Sequence, residues 1–205
     1  MDFSSYLVYL SVSVIASVSV GPSVVLAATN GINFGRRKAF YGVLGHVSAI
    51  FMLAIVSASG LGVLIVASPT AFILLKYLGI AYLIYVGICI FRNKGNFSFV
   101  PQSNEIPSSL SLYRKGLLLG LSNPKALVFF TALFPQFINV EQPVLEQFLL
   151  LTSTSLFNAF AFTFGYALLA FKLKGRLSVV INNGWLGRIT GSLFIGFATA
   201  LALAK

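Results

Sequence analysis

Charge is the scarcest thing in this chain of 205 residues. Asp, Glu, Lys and Arg make up 9%, against about 25% in a soluble domain, while 58% of the residues are hydrophobic and mean hydropathy is +0.93. Only four acids are present, which leaves a net charge of +10. That composition excludes soluble enzymes, secreted scaffolds and disordered segments. A single cysteine, Cys89, rules out an internal disulfide or a CxxC redox pair. No glycine is followed by lysine, so there is no Walker A loop and no built-in ATPase. Neither HExxH nor a cluster of metal-ligand residues occurs, and no GxSxG, so no metal, cofactor or catalytic apparatus is expected. Finally, no carboxylate lies deep in an apolar run, which removes the usual buried-acid proton relay.

What is present is long apolar runs. Six spans are expected at roughly 5–29, 41–67, 70–91, 114–138, 145–171 and 185–204. Each holds about 20 or more mainly apolar residues, enough to cross about 30 Å of hydrocarbon as a helix. A barrel is excluded, because stretches such as Phe72-Ile73-Leu74-Leu75 are apolar on every side where a barrel strand alternates. The first span does not read as a signal peptide. Asp2 and no base precede it, and its run outlasts the 7–15 residues of a signal h-region.

The bases set the orientation. Arg36, Arg37 and Lys38 follow span 1; Arg92, Lys94, Arg114 and Lys115 flank the loop after span 3; Lys172, Lys174, Arg176 and Arg188 follow span 5. Eleven bases thus lie on one side and Lys205 alone on the other, with Lys76 and Lys125 inside spans. Positive loops stay in the cytoplasm, so both termini are expected outside. The positive charge is a topology signal spread over three loops, not a nucleic-acid surface.

The domain plan is a single membrane domain over 1–205, with a three-helix half at 1–91, a cytoplasmic loop at 92–113 and a second half at 114–205. Three crossings per half make the second half enter the bilayer inverted relative to the first. Gly21-Pro22-Ser23 aligns with Asn123-Pro124-Lys125 at an offset of 102 residues. The fold class expected is therefore an all-α integral membrane protein of six helices in two inverted halves.

These two proline sites carry the candidate chemistry. Proline lacks the backbone N–H and clashes with the carbonyl four residues back, here Val18 and Gly120, so each helix should kink or break. Asn or Gly before Pro is an N-cap followed by N1, the start of a new half-helix. Such a start carries partial positive charge and attracts a carboxylate. Lys125 adds a full charge at a depth where an unpaired lysine costs roughly 2.5–3.5 kcal/mol. Asn123, Pro124, Lys125, Gly21 and Pro22 are accordingly the candidate substrate-binding residues; the alternative is a packing kink with a snorkelling lysine.

Other polar residues are weaker candidates. Lys76 sits close enough to its span end to snorkel. His46 is the only side chain with an ordinary pKa near neutrality, and reads either as a satisfied polar contact or as the candidate for proton coupling. Asn158 should hydrogen-bond another helix, and the GxxxG pairs Gly116/Gly120 and Gly187/Gly191 should pack within the bundle.

Several of these features occur together in one known family. Gly21-Pro22, Asn30-Gly31, Gly35-Arg36-Arg37-Lys38-Ala39, Leu75-Lys76-Tyr77-Leu78-Gly79, Asn123-Pro124-Lys125-Ala126 with Phe134-Pro135-Gln136-Phe137, and Gly191-Ser192-Leu193-Phe194 resemble the lysine exporter/homoserine-threonine resistance (LysE/RhtB) family of bacterial amino-acid efflux proteins. The resemblance implies a multi-pass inner-membrane carrier, driven by the proton gradient, whose partners are a small-molecule amino-acid substrate and the lipid bilayer, with no nucleic acid. Some members carry an acid in the fifth span, where this chain has Asn158 and Ala159, which leaves the coupling ion open. A membrane scaffold without transport of its own is the alternative class; a buried Lys125 beside Asn123-Pro124 argues against it.

The charge asymmetry is testable. A cysteine placed at Ser103 in a Cys89-free background should resist an impermeant thiol reagent in intact cells and react once the membrane is opened. Labelling of intact cells would reverse the orientation.

Overall fold

A computed structural model describes residues 1–67, 106–139 and 141–173, together with positions 74, 77, 80, 81, 84, 85, 88, 91, 92, 188, 192, 195, 196, 198, 199 and 202. Every regular element among the described residues is helical: α1 (Phe3–Val18), α2 (Pro22–Ala67), α3 (Ser109–Leu121), α4 (Pro124–Val128) and α5 (Val144–Leu173). A π-helical stretch, Phe129–Leu133, and a 3-10 turn, Phe134–Phe137, extend α4. The single positions between 74 and 92 and between 188 and 202 are helical too. Lys76, Cys89, Ser103, Gly187, Gly191 and most of the 92–113 loop lie outside the described residues.

Pro22–Ser59 and Val144–Leu173 are long and apolar enough to cross a membrane, and the bent pair Ser109–Leu121 and Lys125–Phe137, angled by 55°, makes a third candidate. α2 is not one rod. Gly35 has φ +77° and ψ 171°, a left-handed conformation that disfavours any residue with a Cβ, and it splits α2 into legs 22–34 and 36–67. The legs fold back on each other, since a Cβ on Gly42 would sit 2.8 Å from Asn30 Nδ2. The basic loop expected after span 1 is therefore a one-residue turn with Arg36 and Arg37 exposed just beyond it.

Both leading helices have side-chain caps. Asp2 Oδ1 accepts the Ser5 N–H at 2.7 Å and starts α1; Ser108 Oγ accepts the Ser111 N–H at 3.1 Å and starts α3. Hydrogen bonds from Ser5 hold the Asp2 carboxyl below the usual carboxylate range. The cap is therefore intact at neutral pH and lost as pH falls through that lowered value.

Lipid gives helices no hydrophobic reason to associate, so contact depends on close approach and on interhelical hydrogen bonds. Glycines supply the first. Gly42 meets Gly116 backbone to backbone and Gly45 lies against the backbone of Tyr113 and Leu117, while Gly120 makes room for the side chains of His46 and Ala49, so α2 and α3 approach closely along this seam. Gly31 abuts the Ala167 backbone of α5 in the same way. The expected packing role of Gly116/Gly120 is thus observed. Polar pairs supply the second. Tyr6–Thr154 (3.2 Å), Tyr9–Ser155 (2.5 Å) and Asn158–Ser13 (3.0 Å) advance together along α1 and α5, so these helices run parallel. Asn158 does what its position in an apolar run requires.

Substitution at the seam should be costly. Gly116→Val forces α3 off α2 and should lower the melting temperature of the detergent-purified protein by an amount equivalent to about 1–3 kcal/mol or more. Gly165→Ala, with nothing within 4 Å of its Cβ position, should leave it unchanged or slightly raised. Equal effects would remove the seam from the packing.

Candidate functional site

The site forms where two helix breaks meet. α1 ends at Val18, with Ser19 as its cap, and α2 begins at Pro22. Because Pro22 has no N–H to return, the Val18 carbonyl is left over, and the Tyr166 hydroxyl of α5 donates to it at 3.0 Å. The second break is built alike. α3 ends at Leu121, Asn123 caps α4 with Oδ1 accepting the Lys125 N–H at 3.1 Å, and Pro124 holds the first turn. The Gly120 carbonyl is taken by the Asn123 N–H at 3.3 Å. Both prolines therefore start half-helices, as their sequence context requires.

The breaks are tied across. Asn123 Nδ2 donates to Ser23 Oγ at 3.2 Å, so the oxygen of its amide serves its own helix and the nitrogen serves the other break. Lys125 reaches back to the end of α1. Its Nζ donates to the Ala16 carbonyl at 2.8 Å, the Ser19 carbonyl at 3.0 Å and Ser19 Oγ at 2.8 Å. Gly21 leaves room for it: a Cβ there would stand 3.3 Å from Nζ. All three ammonium hydrogens are thereby used, and the charge rests on the negative end of the α1 dipole.

A cavity of about 50 Å³ opens beside this junction, room for a few water molecules. Ser13 and Ser17 of α1, Ser23 and His46 of α2, Asn123 and Lys125, and Ser155 and Thr163 of α5 supply its polar wall; Phe129 and Phe130 close part of the rest. Among the described residues, Lys125 is the only charged one that lines it. His46 is 8% exposed and its Nδ1 has no hydrogen-bond partner; it faces Gly120, whose Cβ would lie 3.0 Å away. Beyond Phe129, Tyr9 makes aromatic contacts with Phe129, Phe134 and Phe137 at centroid distances of 5.0–6.1 Å and seals the α1 N-terminal side. The π stretch that carries Phe129 and Phe130 is held from α2, where Ser57 Oγ donates to the Phe130 carbonyl. π turns inside helices occur mostly at functional sites.

Of the six residues singled out by sequence, Asn123, Lys125 and His46 line this cavity, and Gly21 borders it through Lys125. Pro22 and Pro124 set the breaks, and the Pro22 ring is exposed and faces away. Ser19, Ser23 and Tyr166 were not singled out. The only signal for Tyr166 is indirect, since Pro22 obliges some donor to reach Val18.

Discontinuous helices tied at a polar cavity, in a chain this apolar, define a membrane transporter rather than an enzyme. The family model described as LysE type translocator matches residues 14–205, and the chain belongs to that family. A homoserine/homoserine lactone efflux protein of Salmonella typhimurium is 33% identical over all of this chain and 99% of its own length. A Vibrio cholerae protein named only as an uncharacterized membrane protein is 33% identical with full coverage of both, and a membrane protein of Bacillus subtilis is 28% identical over 98% of this chain and 99% of its own. No solved structure matches the chain.

Proposed function

We propose that this protein exports small amino acids or their close derivatives, with homoserine and its lactone the first candidates, across the bacterial inner membrane by proton-coupled alternating access. The observation that carries this reading is the tie between the two helix breaks at a cavity whose one charge, among the described residues, is Lys125. Six helices in two inverted halves, 1–91 and 114–205, with both termini outside, are the architecture proposed around it. Two cross-ties support the inversion. Gly21 meets Lys125 while Ser23 meets Asn123, and an exchange of halves at the 102-residue offset converts one pair into the other. The Salmonella relative bears on the substrate through its name.

In this reading the substrate carboxylate, or the lactone carbonyl, faces the positive start of α4 and the Lys125 charge. The ammonium hydrogens are spent on α1, so the attraction acts as charge rather than through a direct hydrogen bond. At a few waters' volume the cavity is too small for an amino acid, and in this reading admitting one requires the halves to separate. The aromatic cluster around Tyr9 is the proposed gate on the outer side.

Two variants test the site in liposomes by counterflow of labelled homoserine. Lys125→Met keeps the stem and removes the charge; apparent affinity should fall about tenfold or more, since unit charges about 4 Å apart attract by about 1–4 kcal/mol. Lys76→Met should matter far less. Unaltered affinity and rate in a properly inserted Lys125→Met protein would end the role of Lys125 in substrate binding.

His46 is the proposed proton-coupling group, because its Nδ1 is unpartnered beside the cavity and its ordinary pKa lies near neutrality. His46→Gln should flatten the dependence of export on pH. If both the rate and the pH profile survive, coupling runs elsewhere.

A further inference from the structure

The oxygens gathered around Lys125 form a site in their own right. The Ala16 carbonyl, the Ser19 carbonyl and Ser19 Oγ converge within 2.8–3.0 Å of one point. Ser19 is fully buried, and its hydroxyl hydrogen is already given to the Ala16 carbonyl at 2.8 Å, so Oγ presents only lone pairs to that point. The oxygens belong to the last turn of α1 and its cap, where helix geometry leaves carbonyls unpaired and the dipole is negative. Uncharged oxygens at the broken C-terminal end of a half-helix are the donor set with which discontinuous-helix transporters hold a monovalent cation. The 2.8–3.0 Å spacing is that of ammonium and longer than the roughly 2.0–2.6 Å of Mg²⁺ or Ca²⁺, which would also demand carboxylates that this wall lacks.

We propose that the break after α1 is a monovalent-cation site and that the Lys125 ammonium is its permanent, tethered occupant, supplied by α4. The cation that elsewhere comes from solution is here part of the chain. A primary ammonium has three hydrogens for the three oxygens, and Gly21 removes the side chain that would crowd it. The planar, larger guanidinium of arginine does not match the three-point cage. The tie also fixes α1 to the start of α4, so occupancy of the site and union of the two breaks are one condition. Cation binding at the cage stands apart from the transport reading above; only the export measurement below rests on that reading.

The test uses Lys125→Ala, which deletes the equivalent of n-propylammonium. Melting of the purified wild-type protein should be indifferent to Na⁺, K⁺, methylammonium and n-propylammonium. Lys125→Ala should melt lower and gain a saturable rise of about 3 °C or more with methylammonium or n-propylammonium at about ten times the dissociation constant. Neutral 1-propanol should do nothing, and adding Ser19→Ala should weaken the response at least tenfold. Lys125→Arg keeps the charge, yet should melt as low as Lys125→Met. A folded Lys125→Ala protein that no small cation stabilises would overturn the proposal. So would Lys125→Arg with wild-type melting, the arm that decides if Lys125→Ala cannot be recovered folded even with the amines present. Saturable stabilisation of the wild-type protein by one of these cations, lost in Ser19→Ala, would show that Lys125 does not fill the site. If wild-type protein shows no counterflow of homoserine, the transport reading fails while the melting series still judges the cage.

Discussion

The ammonium of Lys125 on the oxygen-rich end of α1 is the interaction around which the rest is arranged. A lone lysine at this depth is unfavourable by roughly 2.5–3.5 kcal/mol, and a helix end without donors is unfavourable on its own account. Each cancels the other's deficit. The same contact fixes where the breaks must be: α1 has to stop at Val18 for its carbonyls to be free, and α4 has to start at Pro124 for its second residue to point back at them. Gly21 follows as the residue that leaves the ammonium its space.

Around that contact, the groups released by each irregularity find a partner from another element. Tyr166 serves the Val18 carbonyl that Pro22 abandons; Asn123 serves both its own helix and Ser23; Ser57 serves the Phe130 carbonyl within the π stretch. In water these groups would hydrate and the donors would be optional. In hydrocarbon an unsatisfied backbone group costs several kcal/mol, so irregular backbone persists only where neighbours or a wet cavity satisfy it. That constraint fits the placing of Ser13 and Ser17 of α1, Ser23 of α2, and Ser155 and Thr163 of α5 along the cavity beside the breaks.

Much of this was legible in the sequence, for local reasons. Proline removes an N–H wherever it sits, so the breaks at Pro22 and Pro124, with Asn123 as a cap, follow from residue type alone. A lone Asn in an apolar run must find a polar partner, as Asn158 finds Ser13, and small residues spaced by four mark a helix seam, as Gly116 and Gly120 do. What was not legible depends on which elements meet. The basic cluster at 36–38 announces a membrane boundary, but not that Gly35 alone reverses the chain. Lys125 announces the need for a partner, and an anionic substrate is the obvious one; that its hydrogens go to Ala16 and Ser19 depends on α1 ending beside α4, more than 100 residues away in sequence. The π stretch left no periodicity signal, because its five residues are as apolar as their neighbours.

A cavity lined, among the described residues, by one tethered cation and no carboxylate also constrains what the proposed transporter can carry. A zwitterion brings its own negative group to the Lys125 side and leaves its ammonium to the hydroxyl wall of Ser13, Ser23, Ser155 and Thr163, which can accept hydrogen bonds. A side chain with a second positive charge finds no counter-charge there and lies within a few ångströms of a cation in a medium that screens poorly, where like charges repel by several kcal/mol. In the proposed reading, selection against basic side chains follows from the contact that joins the two breaks, so that one lysine would bear on both substrate choice and helix architecture.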